Sequence, residues 1–192
     1  MKRNILIDHT LIIDELERSI KFYNLNSILS FLPKGSYLVG GYIRDIILKR
    51  VTEEVDVDIV VPFDAIEIGK MISENIKSKF IILDKEREVV RIILNHISID
   101  IANQISSTIE GDLCSRDFSI NSIAFLFDKK LLFDPLNGLK DLQFSLLKTY
   151  SEINLLNDPL RILRCFRFVS ELNLKIDLKL VDFIKKNKGK LY

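Results

Sequence analysis

The chain has 192 residues, which is enough for one domain or for one domain and part of a second. Its 47% of apolar residues excludes a chain that is disordered throughout, and its net charge of +1 excludes a nucleic-acid binder that relies on bulk positive charge. Cys114 and Cys165 lack metal-site spacing and make no disulfide framework, so we expect a reducing, cytoplasmic setting.

Up to about residue 135 the sequence has the pattern of an α+β domain with a mixed or antiparallel sheet. Strands are predicted where apolar residues alternate with polar ones or form short runs, and helices where apolar residues recur every three or four positions. In chain order, the predicted elements are a helical stretch over 5–32, a strand over 37–39, a helix over 42–49, a strand over 55–61, a helix over 65–76, and strands over 80–83, 89–94 and 97–101.

The sequence becomes helical in character after Asp134-Pro135, from about residue 141 onward. The clearest helix is predicted over 158–172, with Asp158 as its cap and Pro159 as its first residue, since proline is tolerated at that position. The apolar side expected for this helix consists of Leu160, Leu163, Phe166, Val169 and Leu172.

Asp56 and Asp58 flank Val57 within the predicted strand over 55–61. Residues i and i+2 of a strand point to the same face, so the two carboxylates lie together and repel each other unless a cation joins them. The alternative is a solvated face of an edge strand. Asp100 is a third acid among apolar strand residues, and beside the first two it would complete a site for two Mg²⁺ ions of the kind used in nucleotidyl transfer.

Gly40 and Gly41 precede a predicted helix, where missing side chains and free backbone N–H groups favour a phosphate, although such pairs are also common in plain turns. In that helix, Arg44 has two possible partners, a phosphate or the neighbouring Asp45.

A second polar cluster, Arg116, Asp117 and Asn121, enters an apolar stretch of the chain. It is either a capping salt bridge or a contact to the triphosphate or ribose of a nucleotide.

Asp158, Arg161, Arg164 and Arg167 recur every three residues of the predicted helix, which places them along one side of it. Guanidinium and carboxylate groups match the donor and acceptor pattern of a base edge, and the arginines also suit a polyanion. The simpler interpretation is a helix cap followed by a solvated basic face.

Five segments together resemble the class II tRNA nucleotidyltransferase and poly(A) polymerase family, in the same order and at similar spacing. They cover about residues 37–172, which makes the resemblance specific. The segments are Leu38-Val39-Gly40-Gly41-Tyr42-Ile43-Arg44-Asp45, Asp56-Val57-Asp58, Ser115-Arg116-Asp117-Phe118-Ser119-Ile120-Asn121, Asp134-Pro135-Leu136-Asn137-Gly138-Leu139-Lys140-Asp141-Leu142 and Asp158-Pro159-Leu160-Arg161-Ile162-Leu163-Arg164.

The resemblance implies a polymerase-β-like nucleotidyltransferase head over 1–145, followed by the start of an all-α neck over 146–192. It implies that the acids matching Asp56 and Asp58 bind Mg²⁺ and that Asp100 assists as the third carboxylate. The tRNA 3′-hydroxyl would attack the α-phosphate of CTP or ATP. The remaining site residues expected to contact the nucleotide are Gly40, Gly41, Arg44, Asp45, Arg116, Asp117, Asn121, Asp158, Arg161, Arg164 and Arg167.

The chain departs from the family pattern at three places. Ser115 stands where the family usually has arginine, and Asn157 stands where it usually has glutamate. The segment between Asp100 and Arg116 is short, as in the branch that adds only CC. The body and tail domains of the family are absent, which indicates a truncated chain or one part of a split enzyme.

The sequence leaves several functions open. The leading one is addition of C and A residues, as CCA or CC, to the tRNA 3′ end, and the runner-up is poly(A) synthesis by the same head. A non-catalytic nucleotide- or RNA-binding module and a nucleotidyltransferase for small substrates are further alternatives. No apolar run reaches about 18 residues and the charged beginning is unlike a signal peptide, so no membrane partner is expected. The sequence indicates no oligomeric state.

Overall fold

The structure, a computed structural model, describes residues 8–50, 53–187 and 189. Residues 5–7 of the first predicted helix and the charged beginning of the chain lie outside the described residues. The centre of the molecule is a seven-stranded mixed sheet with the strand order β3-β4-β5-β2-β1-β6-β7, and a second ladder pairs β8 with β9. Within the described residues no helix has the length and apolar character needed to cross a membrane.

The helices and strands alternate along the first part of the chain. The helices are α1 (His9–Phe22), α2 (Asn26–Leu29), α3 (Gly41–Ile47), α4 (Ala65–Ile76), α5 (Ile109–Cys114), α6 (Gly138–Gln143), α7 (Glu152–Asn157), α8 (Leu160–Leu172) and α9 (Leu178–Asn187). The strands are β1 (Tyr37–Val39), β2 (Val55–Val61), β3 (Lys79–Asp84), β4 (Val89–Leu94), β5 (Ile97–Asn103), β6 (Ala124–Leu126), β7 (Leu131–Phe133), β8 (Leu146–Leu147) and β9 (Lys175–Ile176).

Strand β2 lies in the middle of the sheet, antiparallel to β1 and parallel to β5. Its alternating sequence puts Val55, Val57 and Ile59 into the core, while Asp56 is exposed and Asp58 half-buried on the other face. The period of two therefore produces both the buried face of the strand and the row of carboxylates opposite it. The predicted bounds of this strand are confirmed.

The structure contains elements that the sequence did not predict. The hairpin of β6 and β7 extends the sheet beyond β1, and α5 precedes Arg116. Strand β6 is only three residues long and buried at every position, so it lacks the alternation that marks a half-buried strand. The predicted first helix is in fact two helices, because the chain turns at Asn24, which has a φ of 54°.

The orientation of α8 differs from the expectation. Leu160, Leu163 and Phe166 are exposed, by 66%, 54% and 50%. The buried residues are Ile162, Cys165, Phe168 and Leu172, so the apolar side is rotated by about 100°, the angular step of one residue, and Leu172 is the predicted residue that is fully buried. The helix begins at Leu160, and Asp158 still caps it because its carboxylate accepts a hydrogen bond from the Leu160 N–H at 3.1 Å.

Residues 146–187 are mostly helical but not entirely so. Leu146 and Leu147 of β8 pair in parallel with Lys175 and Ile176 of β9, which adds a short ladder to the expected all-α region. The ladder connects the segment after α8 to the segment after α6. The expected all-α neck is therefore corrected to a mostly helical region that contains a two-stranded ladder.

The segment Asp134–Leu142 supports the turn that carries Asn121. The Asp134 carboxylate accepts hydrogen bonds from the Gly138 N–H at 2.6 Å and from the Leu139 N–H at 3.0 Å. Asp141 accepts a hydrogen bond from the Ser119 hydroxyl at 2.7 Å. Helix α6 thereby fixes the position of the short 3₁₀ helix Ser119–Asn121 through the hydrogen bond between Asp141 and Ser119.

We expect Gly138→Ala to destabilise the fold by about 3 kcal/mol because of overpacking. A Cβ at this position would lie 2.2 Å from the Ser119 carbonyl oxygen and 3.1 Å from Ile123 Cγ1. Urea unfolding measures the effect. Lys140→Ala, at an exposed position of the same helix, is the control and should change stability by less than about 0.5 kcal/mol. Equal unfolding midpoints for Gly138→Ala and the parent would contradict the expectation.

Candidate functional site

A cleft of about 770 Å³ lies between the polar face of β2 and β5 and the arginine side of α8. It collects residues from distant parts of the chain. Asp158 is the one predicted site residue that does not line it, although it adjoins Arg161. The predicted residues that line the cleft are Gly40, Gly41, Arg44, Asp45, Asp56, Asp58, Asp100, Arg116, Asp117, Asn121, Arg161, Arg164 and Arg167.

The three predicted carboxylates share one face of the sheet. Asp56 and Asp58 are two residues apart on β2, and Asp100 of β5 is the register partner of Asp58 in the parallel pair. Paired residues of parallel strands point to the same side, so Asp100 lies beside Asp58. Burial raises the pKa of Asp58; Arg116 opposes this rise, while the charges of Asp100 and Asp56 add to it.

Asp100 differs from the other two acids because it is already paired. Arg91, its register partner on β4, donates to both carboxylate oxygens, from Nε at 2.7 Å and from Nη2 at 2.8 Å. The hydrogen bond to Asp100 raises the pKa of the Arg91 guanidinium above its ordinary value. Asp100 is therefore held in a fixed orientation at the edge of the cleft.

Gly40 brings the backbone close to the acids. It has a φ of +74°, and its N–H donates to the Ile123 carbonyl at 3.1 Å. A Cβ at this position would lie 3.0 Å from Asp58 Oδ2 and 3.2 Å from Arg116 Nη1. Both the positive φ and the lack of space require glycine here.

Arg44 and Asn121 connect the glycine turn to the second polar cluster. The Arg44 guanidinium is 8% exposed and donates to both oxygens of Asp45 and to Asn121 Oδ1 at 2.6 Å. Asn121 Nδ2 in turn donates to Asp117 Oδ1 at 3.1 Å. The predicted pairing of Arg44 with Asp45 is therefore present in the structure.

The α8 arginines face this network across the cleft. Arg164 Nη2 lies 3.1 Å from Asp117 Oδ2, and Arg161 Nη1 donates to the Ser115 carbonyl at 2.8 Å. Arg44, Arg164 and Arg167 all lie over the ring of Phe168, with 4.9 to 5.5 Å between guanidinium carbon and ring centroid. The helix therefore presents its arginines to the cleft and not to bulk solvent alone.

The donor set of the cleft fits a divalent cation held by two residues. Within the described ranges no group of three or more His, Cys, Asp or Glu side chains is arranged to hold a metal ion. Asp56 and Asp58 supply adjacent carboxylates on one face of β2, and burial raises the pKa of Asp58, with the charges of Asp100 and Asp56 adding to this rise. Hard cations such as Mg²⁺ take one or two carboxylates and keep several waters, which suits this pair.

The cleft also contains residues that the sequence analysis missed. Arg91 could have been found as a cation on an alternating strand, and Asp112, in α5, as an acid four residues before Arg116, which lies just beyond the end of that helix. Phe168 lies within the row of arginines and had no signal of its own. The missed residues that line the cleft are Glu54, Arg91, Ile105, Asp112, Ser115 and Phe168.

Comparison with known sequences identifies related proteins. Residues 36–148, more than half of the chain, match the family model described as Poly A polymerase head domain. The chain is 41% identical over 149 residues to the CC-adding tRNA nucleotidyltransferase of Synechocystis sp., covering 78% of this chain and 36% of that protein. It is 34% identical over 145 residues to the A-adding tRNA nucleotidyltransferase of Deinococcus radiodurans, covering 76% of this chain and 32% of that protein. The chain thus spans about a third of the length of these relatives.

Solved structures show the same fold. A CCA-adding enzyme in an apo form aligns with a TM-score of 0.75 at 28% identity, covering 88% of this chain and 43% of that chain. A CCA-adding enzyme with CTP aligns with a TM-score of 0.70 at 31% identity, covering 81% of this chain and 37% of that chain. A tRNA nucleotidyltransferase complexed with a primer tRNA and an incoming ATP analogue aligns with a TM-score of 0.68 at 29% identity, covering 80% of this chain and 46% of that chain. The predicted α+β fold of the first part of the chain is confirmed.

Proposed function

Because the chain belongs to the Poly A polymerase head domain family and is similar to curated tRNA nucleotidyltransferases, we propose that it adds C and/or A residues to the 3′ end of tRNA from CTP and ATP. The observation that carries the proposal is one cleft that combines paired carboxylates, a glycine turn and a row of arginines. Carboxylates suit metal-assisted transfer, and the glycine turn and arginines suit a triphosphate. The reaction needs no template strand.

The proposal includes a division of the chain into a catalytic head over 1–145 and the first part of a neck over 146–192. The ion pair between Arg164 and Asp117 and the hydrogen bond from the Lys175 N–H to the Ser145 carbonyl at 2.8 Å connect the two parts. A cytoplasmic location is part of the proposal, because the free thiols of Cys114 and Cys165 fit a reducing compartment.

Asp56 and Asp58 are the proposed ligands of Mg²⁺. When bound, this cation would polarise the α-phosphate and neutralise the charge that develops on the leaving pyrophosphate. Gly40 leaves room for phosphate oxygens beside Asp58, and Arg116 provides positive charge at the same place. Asp100, whose orientation is fixed by Arg91, would accept the proton of the attacking tRNA 3′-hydroxyl.

The other predicted contacts have two roles in this proposal. Arg44, Asp45, Asp117 and Asn121 form the hydrogen-bonded floor beneath the nucleotide, with Gly41 at the start of α3. Arg164 and Arg167 line the opposite wall and offer positive charge to the phosphates.

Asp158 and Arg161 are the proposed base readers. Arg161 Nε lies 3.5 Å from Asp158 Oδ2, and its Nη1 is anchored on Ser115, so the two groups are held side by side at the mouth of the cleft. A carboxylate accepts from the exocyclic amino group that cytosine and adenine share, and a guanidinium donates to the adjacent ring nitrogen. This pairing would let the protein select C and A over U and G.

Among the possible products, addition of CC has specific support. The connection between β5 and α5 consists of only residues 104–108, which agrees with the short segment noted in the sequence. Relatives from Synechocystis and from Geobacter sulfurreducens are named CC-adding enzymes, the second at 36% identity over 144 residues. Full CCA addition and poly(A) synthesis remain the alternatives to be separated by experiment.

A primer-extension assay with Mg²⁺ tests the proposal. Three tRNA transcripts, ending at the discriminator base, after one C and after CC, are each offered CTP, ATP or both. Two added C residues followed by a stop identify a CC-adding enzyme, a further A identifies a CCA-adding enzyme, and long A tails identify a poly(A) polymerase. RNA binding without any incorporation would instead support the non-catalytic module.

We expect Asp158→Ala to weaken CTP binding about 10- to 100-fold, which corresponds to the loss of one bidentate base contact. Calorimetric titration of CTP measures the affinity. Asp182→Ala, which removes an exposed acid of α9, is the matched control and should leave the affinity unchanged. Equal CTP affinities for Asp158→Ala and the parent would contradict the base-reading role.

A further inference from the structure

Asp112 is a buried carboxylate that the proposed reaction does not use. It lies in α5 and is 2% exposed. A buried charge is unfavourable unless it is paired and hydrogen-bonded, so its partners indicate what it is for. Its two oxygens contact two different parts of the cleft wall.

One oxygen holds Arg116. Asp112 Oδ2 accepts from Arg116 Nε and Nη2, both at 3.4 Å, one helical turn along the chain. This pairing occupies one edge of the guanidinium. The remaining nitrogen, Nη1, is the atom that comes within 3.2 Å of a Cβ placed on Gly40. Asp112 therefore turns the free edge of Arg116 toward the glycine turn and Asp58.

The other oxygen holds the connection from β5 to α5. Asp112 Oδ1 accepts from the Ile105 N–H at 3.1 Å. The same connection is fixed at its start, where the Gln104 N–H donates to the Val61 carbonyl at 2.8 Å. Ile105 itself is 80% exposed and lines the cleft. The carboxylate of Asp112 thus fixes the position of the Arg116 guanidinium relative to the backbone of Ile105.

We propose that Asp112 is a positioning residue that orients Arg116 toward the triphosphate of the incoming nucleotide and holds Ile105 at the mouth of the cleft. The inference rests on the proposed function for the identity of the ligand, a nucleoside triphosphate. Asp112 does not touch the nucleotide. A guanidinium that is already oriented loses less side-chain entropy when a phosphate binds, so the effect of Asp112 is on nucleotide affinity.

A double-mutant cycle on CTP affinity tests the route through Arg116. Asp112→Asn keeps an oxygen for the Ile105 N–H but removes the charge that holds Arg116, and we expect it to raise the KM for CTP about tenfold with kcat nearly unchanged. In the Arg116→Ala background the same substitution should have no further effect. Equal effects in both backgrounds would mean that Asp112 acts only on the fold and would overturn the inference.

Two further measurements complete the test. Glu110→Gln, at an exposed position of the same helix, is the matched control and should leave the KM unchanged. The side-chain Nε–H resonance of Arg116, assigned with Arg116→Lys, should be resolved in the nitrogen spectrum of the parent and should shift or broaden in Asp112→Asn. If the parent binds no CTP, the proposed function fails, and the resonance alone decides whether Asp112 orients Arg116. An unchanged resonance would overturn the inference.

Discussion

Asp58→Asn is expected to reduce nucleotide addition by at least about 1,000-fold while raising the thermal stability of the metal-free protein. The loss of activity follows from the loss of a carboxylate that is proposed to bind Mg²⁺. The gain in stability follows because burial in the cleft, together with the charges of Asp100 and Asp56, raises the pKa of this carboxyl and so disfavours its charged form in the fold. The asparagine side chain has nearly the same shape and carries no charge.

The stability difference should depend on pH in a defined direction. The carboxyl of Asp58 ionises near its ordinary value of 3.8 in the unfolded chain, and the fold raises its pKa. The stabilisation that comes from the protonated form is complete below 3.8 and is lost as the pH rises through the folded-state pKa. The advantage of Asp58→Asn over the parent should therefore grow across this interval and then level off.

Thermal unfolding in EDTA at several pH values, together with the extension assay, checks both parts of this prediction. Asp14→Asn, an exposed position of α1, provides the control and should change neither property. A melting temperature of Asp58→Asn below that of the parent at neutral pH would show that the carboxylate is stabilised in the fold and would contradict the argument.

Gly40→Ala is expected to reduce nucleotide addition about 100-fold and to destabilise the fold by about 1–3 kcal/mol. The residue has a φ of +74°, which a side chain rarely adopts, and the new methyl group would lie 3.0 Å from Asp58 Oδ2 and 3.2 Å from Arg116 Nη1. The methyl group would occupy the space that we assign to phosphate oxygens. Extension rates and urea unfolding measure the two effects.

Gly35→Ala is the matched control for Gly40→Ala. Gly35 has a similar φ of +82°, but a Cβ there meets no atom within 4 Å. Gly35→Ala should therefore show the backbone strain, about 1 kcal/mol, without the loss of activity. If Gly35→Ala reduced activity as strongly as Gly40→Ala, strain alone would explain both results and the phosphate subsite would lose its support.

Local patterns predicted the parts of the fold that depend on neighbouring residues. The alternation of Val-Asp-Val-Asp-Ile-Val-Val gives β2 its bounds, and the helical spacing of 65–76 gives α4 its bounds. The hairpin of β6 and β7 depends on a non-local pairing with β1, its strands are only three residues long, and β6 is buried at every position and has no alternation of its own. The sequence also did not predict which side of α8 is buried, because Phe168 is covered by arginine side chains from two helices.

In the candidate site, too, features that depend on neighbouring residues were predicted, and contacts between distant residues were not. Spacing placed Asp56 beside Asp58, and the resemblance placed the glycine turn and the arginine row with them. The roles of Arg91 and Asp112 depend on contacts that only the folded chain makes. Arg91 reaches Asp100 through the antiparallel register of β4 and β5, and Asp112 reaches Ile105 across a loop. The two-residue turn between β4 and β5 sets this register, but the register alone does not show which side chains form an ion pair.

The parallel pairing of β2 with β5 affects the order in which the residues of the cleft come together in a newly made chain. Asp58 meets Asp100 only when the chain has been made through β5 and β5 lies beside β2. The Gly40 N–H donates its hydrogen bond to a still later residue, Ile123, and Asp117 forms its ion pair with Arg164, which is made later again. Domains assemble from the N-terminus as they leave the ribosome, and distant pairings form slowly. A nascent chain that ends before α8 can therefore form the sheet and bring its carboxylates together while the arginine side of the cleft is still missing.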